Sequence, residues 1–133
     1  MTRYLLDTNH LSPLVTLSHP LRLQIRERLK TADSFAIPVP ALIEFLFGIG
    51  LLPRAHLNNE TWQAMADEFA YYGAERQDAE MAADLRLKLR RVGRQLGAID
   101  ALIAVLALRN DLTLLTTDGD FSAVPGLKFE NWR

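Results

Sequence analysis

The sequence predicts an α/β fold in which a parallel sheet is covered by helices on both faces. Three observations carry this reading. Short apolar runs alternate with helical segments along the whole chain, the pattern left by strands joined through helical crossovers. No internal repeat, low-complexity tract or linker interrupts the 133 residues, so residues 1–133 read as one domain with a core of ordinary size. Finally, Asp7 and Asp118 each follow the carboxyl end of an apolar run, the end at which open α/β sheets place their sites.

The elements follow in order. Arg3 to Leu6 is a short buried strand that stops at Asp7. A helical stretch comes next, and then a clearer helix from Pro20 to Lys30, with proline suited to its first turn. Ser34 to Ile37 is a second strand. Pro40 opens a helix that runs towards Gly48 or Gly50, with proline at its start and glycine at its end. Pro53 to Leu57 reads as a connection, and Asn58 to Phe69 as an amphipathic helix with Trp62, Met65 and Phe69 on one face. Tyr71 to Ala74 is a third strand. Arg76 to Val92 is a long charged helix expected to turn Ala79, Ala83, Leu87 and Leu89 inward. After an interruption at Gly97, Ile99 to Leu108 is an almost wholly apolar helix. Leu112 to Leu115 is a strand, Thr117 to Phe121 a turn, and Leu127 to Phe129 a last short strand.

Composition narrows the function. The apolar fraction of 49% and charged fraction of 23% are those of a folded globular chain. With no cysteine, disulfides, thiolate catalysis and cysteine-based zinc sites are excluded together. No run reaches transmembrane length and the first residues lack a signal-peptide layout, so a soluble, cytoplasmic protein without membrane contact is expected. A net charge of −1 means that nucleic acid is not held by bulk charge. A nucleic-acid role requires a local basic patch, or metal ions that reverse the sign of an acidic pocket.

Four acidic residues stand at such positions. Asp7, Asp100 and Asp118 border apolar elements, and each also has an ordinary role available as a cap or turn residue. Glu44 is more telling, because it is the only ionisable residue between Ile37 and Leu52. A helix of that composition is buried nearly all round, or buried on one side and used as an interface on the other. A salt bridge to arginine is one way to compensate a buried glutamate. A carboxylate among apolar residues is costly without a compensating charge. Four of them at similar positions point to one shared compensator, a divalent ion held by oxygen ligands.

Taken in order, four segments resemble the PIN-domain family, and within it the VapC toxins of type II toxin–antitoxin systems. They are Leu5-Leu6-Asp7-Thr8-Asn9, Pro40-Ala41-Leu42-Ile43-Glu44-Phe45-Leu46-Phe47-Gly48, Leu96-Gly97-Ala98-Ile99-Asp100-Ala101-Leu102-Ile103-Ala104 and Leu115-Thr116-Thr117-Asp118-Gly119-Asp120-Phe121. Val124-Pro125-Gly126-Leu127 to Asn131-Trp132 looks like the family's last strand. Each motif is weak alone, whereas the ordered set is specific and spans essentially the whole chain. The resemblance implies a three-layer α/β/α sandwich with a short parallel sheet. It also implies a metal-dependent ribonuclease toxin, with Mg²⁺ or Mn²⁺ held by Asp7, Glu44, Asp100 and Asp118. Asp120 is a further ligand candidate in the last loop. A homodimer and a cognate antitoxin are the implied partners.

Such a pocket suits phosphodiester hydrolysis, since a divalent ion activates water and neutralises charge on the leaving oxygen. Thr8, Asn9, Thr116 and Thr117 are short polar neighbours able to orient the carboxylates, or simply to cap the backbone. Arg86, Arg90 and Arg94 recur every four residues on the long helix and form a candidate phosphate-tracking stripe, while Lys88 has Asp84 four residues before it. Three competing readings make different demands on the chain. A phosphatase of the haloacid-dehalogenase type needs a second aspartate where Asn9 stands. A structure-specific DNA nuclease of the flap-endonuclease group shares the acidic pocket but carries extra elements. A non-catalytic metal- or partner-binding module would not need the full acidic set. Phe45, Leu46, Phe47, Ile49, Leu51 and Leu52, with Leu11, Leu14 and Leu17, are too many for one small core, so some are expected on a dimer interface or in an antitoxin groove.

Overall fold

The computed structural model describes residues 1–133 and holds one five-stranded, all-parallel sheet. Its strands are β1 (Arg3–Leu6), β2 (Ser34–Pro38), β3 (Ala70–Tyr72), β4 (Thr113–Leu115) and β5 (Phe129–Glu130), in the spatial order β3-β2-β1-β4-β5. β1 is central. Tyr4 is in register with Phe35 on one side and Thr113 on the other, and Leu5 with Ala36 and Leu114. Tyr4, Leu5 and Leu6 are all buried, so this strand is apolar on both faces, as a covered parallel strand must be. The order runs outward from β1 in both directions. With right-handed crossovers the β1-to-β3 connections cover one face and the β3-to-β5 connections cover the other. This is the three-layer α/β/α sandwich.

The helices are α1 (Thr8–Leu11), α2 (Pro20–Arg28), α3 (Val39–Gly50), α4 (Ala55–Gln63), α5 (Arg76–Arg91) and α6 (Ala98–Arg109). α3 starts with Pro40 in its first turn and buries Ala41, Phe45 and Ile49, one residue per turn. Phe45 meets Trp62 of α4 edge-on at 4.9 Å, and Trp62 stacks on Phe69 at 5.7 Å. α4 starts at Ala55, within the expected connection, and stops at Gln63, before a 3₁₀ turn over Ala66–Glu68. The expected helix up to Phe69 therefore breaks early, because Phe69 sits in extended backbone leading into β3.

α5 corrects the expected buried face. Its buried stripe is Asp78, Ala82 and Leu89 with Leu85 half-buried, whereas Ala79, Ala83 and Leu87 are exposed. The reason is Asp78, which looks solvent-facing in the sequence but is fully buried and has two partners. It accepts the Glu75 backbone N–H at 2.9 Å in a capping box, and pairs with Arg109 of α6 at 2.8 Å. α5 stops at Arg91 with Val92 as its C-cap, at the expected end, and Gly93 (φ +75°) then turns the chain. Gly93 N–H bonds to the Arg90 carbonyl and Arg94 N–H to the Leu89 carbonyl, a reversal that glycine makes without strain. Gly97 instead caps α6, which is buried nearly all round through Ala101, Ile103, Ala104, Val105, Leu106 and Ala107.

The apolar surplus divides. Leu11, Leu14, Phe45 and Ile49 belong to the core of 31 buried residues. Leu17, Leu46, Phe47, Leu51 and Leu52 remain exposed. No helix is long and apolar enough to cross a membrane.

Because Asp78 ties α5 to α6 from inside, Asp78→Ala leaves Arg109 without its closest partner and removes the cap. Chemical denaturation is expected to show a loss of about 2–4 kcal/mol, against less than about 0.5 kcal/mol for Asp84→Ala on the exposed face.

Candidate active site

The strand order reverses between β1 and β4, and the acidic cluster forms beyond their carboxyl ends at this crevice. Asp7 follows β1 directly, and its backbone N–H donates to the Leu115 carbonyl of β4 at 3.0 Å. Its carboxylate is buried and accepts three hydrogen bonds: Thr8 N–H at 2.8 Å, the Thr116 hydroxyl at 2.8 Å and the Asn9 carboxamide at 3.2 Å. Burial nevertheless pushes its pKa above the ordinary value, with the nearby Asp118 charge adding to it against those bonds.

Thr116 links the two strand ends. While donating to Asp7, its hydroxyl also accepts the Asp118 N–H at 3.0 Å. Asp118 in turn accepts the Asp120 N–H at 2.9 Å and caps the 3₁₀ turn Gly119–Ala123, whose Phe121 is anchored in the core. Glu44 reaches the same place from α3, with Oε2 accepting the Thr8 hydroxyl at 3.2 Å. It is exposed rather than buried, because its helix buries only the Ala41–Phe45–Ile49 side. No arginine pairs with it.

Asp100 lies half-buried in the first turn of α6. Its pKa is pushed up to about 6, first by burial and then by the charges of Asp7, Asp118, Glu44 and Asp120. The five carboxylates thus lie in one another's field. None pairs with a lysine, arginine or histidine. No three acidic or histidine side chains stand close enough to form a coordination sphere as they are, as mutual repulsion between uncompensated carboxylates favours.

Among the polar neighbours, Thr8 and Asn9 hold carboxylates as anticipated. Thr117 contributes only its backbone N–H, to Asn9 Oδ1 at 3.1 Å, and its side chain reaches no carboxylate. Thr116 takes the orienting part. His10 was missed, since nothing in the single helical turn Thr8–Leu11 distinguishes it from its polar neighbours. It is fully buried, and burial with the Arg133 charge lowers its pKa to about 4. Arg86, Arg90 and Arg94 line a cleft of about 540 Å³ that ends at Gly97, one turn from Asp100, and none of them has an acidic partner. Lys88 pairs with Asp84 at 2.8 Å and stays outside the cleft.

A sequence profile of the PIN domain matches residues 4–127. No curated protein is significantly similar in sequence. Similar solved structures include VapBC2 of Rickettsia felis bound to a promoter DNA fragment, at TM-score 0.84 and 22% identity over 99% of this chain and 100% of that one. DNA-bound VapBC of Salmonella typhimurium matches at TM-score 0.82 and 23% identity, over 100% of both chains. VapBC-5 of Mycobacterium tuberculosis, a member of a family of toxin–antitoxin systems, matches at 0.67 and 24%, over 100% and 99%. At these identities the likeness establishes the fold.

The raised Asp100 and the lowered His10 oppose each other in stability. Between the ordinary aspartate value of 3.8 and about 6, the folded chain holds the Asp100 proton and the unfolded chain does not, so this group's contribution is lost as pH rises through 6. Between 6.5 and about 4 the unfolded chain protonates its histidine while buried His10 stays neutral, so that contribution is lost as pH falls. Denaturation in buffer without divalent ions is expected to give a shallow profile from pH 4.5 to 6.5. Asp100→Asn should raise stability at pH 7.5 and steepen the loss on acidification. An unchanged profile would place Asp100 outside the shared field.

Proposed function

The chain belongs to the PIN-domain family, and from that premise we propose that it is a divalent-metal-dependent endoribonuclease acting as the toxin of a toxin–antitoxin pair. The observation that carries the reading is the convergence of Asp7, Glu44, Asp100 and Asp118, with Asp120 at the rim, on one crevice without a compensating cation. An all-oxygen donor set of this kind fits Mg²⁺ or Mn²⁺. When bound, such an ion supplies Lewis-acid polarisation of the phosphate and charge stabilisation of the leaving oxygen.

The rest of the work falls to side chains. Asp7, held by Thr8, Asn9 and Thr116, is the most rigid ligand. Asp100 is the ligand whose charge the fold penalises most, and hence the one that gains most from a cation. Glu44 and Asp118 close the crevice from α3 and from the loop after β4. Arg86 is pinned by a bond from Nε to the Leu96 carbonyl at 2.9 Å, and with Arg90 and Arg94 it offers the RNA backbone a basic track leading to Asp100.

The remaining exposed apolar surface suits protein partners. Ile43 and Phe47 of α3, with Leu51 at its C-cap, form an outward stripe beside the inward one and are proposed as a homodimer contact. Leu17, Leu52 and Leu57 line a groove of about 570 Å³ that fits an amphipathic antitoxin helix. An antitoxin is favoured because the similar structures are VapBC complexes.

Cleavage of total RNA with Mg²⁺ or Mn²⁺, beside single- and double-stranded DNA of matched sequence, tests the activity. Asp7→Ala and Asp100→Asn are each expected to lower the rate roughly 100-fold or more with the fold intact. Arg90→Ala and Arg94→Ala should each reduce the salt dependence of RNA binding by about 1 in log–log slope. RNA cleavage at the wild-type rate by Asp100→Asn would return Asp100 to a helix-cap role, and preference for duplex DNA would favour the flap-endonuclease reading. For the assembly, sedimentation is expected to show a dimer that Phe47→Glu dissociates. A monomer at high micromolar concentration would defeat that contact.

A further inference from the structure

A chain of polar contacts runs from the Asn131–Arg133 segment into the acidic crevice, and His10 is its middle link. Trp132 is seated edge-on against Tyr4 at 4.8 Å and Phe35 at 5.8 Å, with the Arg28 guanidinium 5.0 Å from its ring centre. This packing delivers the Trp132 backbone N–H to His10 Nε2 at 3.0 Å. A nitrogen that accepts from an N–H is unprotonated, so the proton of the neutral ring sits on Nδ1, 2.7 Å from Asn9 Oδ1. Asn9 Oδ1 also accepts the Thr117 N–H, and both donors force the carboxamide to turn its Nδ2 towards Asp7 Oδ2. Arg133 adds a bond to the Asn9 carbonyl at 2.8 Å.

We propose that His10 is a positioning residue, which fixes the Asn9 carboxamide and through it the Asp7 carboxylate, and that the Asn131–Arg133 segment is the clamp that selects its tautomer. The ring is fully buried, touches none of the acids, and has both nitrogens used. A residue kept only for packing would not need two aligned polar contacts, and leucine would fill the space without desolvating a ring. A freely rotating Asn9 would present either its oxygen or its nitrogen to Asp7, and the oxygen would repel it. The consequence for metal affinity rests on the nuclease reading, whereas the consequence for Asn9 does not.

Two conservative variants separate the links. In His10→Asn the side-chain NH₂ stands near the Nδ1 position and keeps the donor to Asn9. In His10→Gln the side-chain end stands near Nε2, keeping the Trp132 contact and losing that donor. Mn²⁺ affinity of the full chain, read by electron paramagnetic resonance, is expected to fall about 10-fold or more in His10→Gln and in His10→Leu, and to recover largely in His10→Asn. Trp132→Ala should weaken it less, and should add little in combination with His10→Gln because both act through one chain of contacts. The Asn9 carboxamide protons, followed by NMR without metal, should exchange slowly in wild type and His10→Asn and faster in His10→Gln. Equal Mn²⁺ affinity in folded wild type and His10→Gln, or equal recovery by both conservative variants, overturns the proposal. Should wild type bind no Mn²⁺, the metal reading fails, and the Asn9 exchange rates alone uphold or overturn the positioning role.

Discussion

Repulsion among carboxylates brought to one crevice is the constraint around which the rest of the structure is arranged. The parallel order β3-β2-β1-β4-β5 reverses between β1 and β4, so the residues following both strands point into a single gap. Asp7 and Asp118 arrive there from the strands, Asp100 from the start of α6 and Glu44 from α3. Burial and like charge push the Asp7 and Asp100 pKa values up, and the fold provides hydroxyls and amides rather than cations as neighbours. Thr116 is central because one hydroxyl serves both strand ends, donating to Asp7 and accepting from Asp118 N–H. No lysine, arginine or histidine neutralises the cluster from within, and the proposed divalent ion is assigned to it on that ground.

The cations are held elsewhere, and their placement follows from α5. Burying Asp78 against Arg109 fixes the rotation of that helix, and this turns Arg86, Arg90 and Leu87 outward together. Gly93 then reverses the chain so that Arg94 and Gly97 complete the same cleft beside Asp100. The contact of buried Asp78 with Arg109 therefore decides where these arginines lie. The near-neutral net charge conceals this separation, with acids gathered at the strand ends and arginines along the adjoining helix.

The alternation of apolar runs and helices was enough to establish a covered parallel sheet, because strands buried on both faces need continuous apolar residues and crossovers need helices between them. The four principal acids were legible for a related reason: Asp7, Glu44, Asp100 and Asp118 interrupt or border apolar segments, where charge is conspicuous. Element ends were less so. Phe69 belongs to the hydrophobic face of a helical pattern, yet its backbone is extended because the chain has to enter β3 beside β2. The inward side of α5 was misjudged for the same kind of reason. Alanine and leucine occur all round that helix, and only the guanidinium of Arg109, 31 positions away, makes Asp78 an interior residue.

By itself, then, the sequence determined the fold class and the identity of the charged groups that need compensation, since both depend on local spacing and on the cost of charge among apolar side chains. Tertiary structure alone decided which neighbours those groups acquire. Glu44 looked buried but is exposed, because only one stripe of α3 packs inward. Of the two threonines named after β4, Thr116 turns its hydroxyl to Asp7, whereas Thr117 offers only its backbone N–H, to Asn9. His10 became a link between Trp132 and Asn9 only because 122 positions of chain fold back to bring that backbone N–H to its ring. Hydrogen-bond partners set by contacts of such long range leave no periodic signature in a linear sequence.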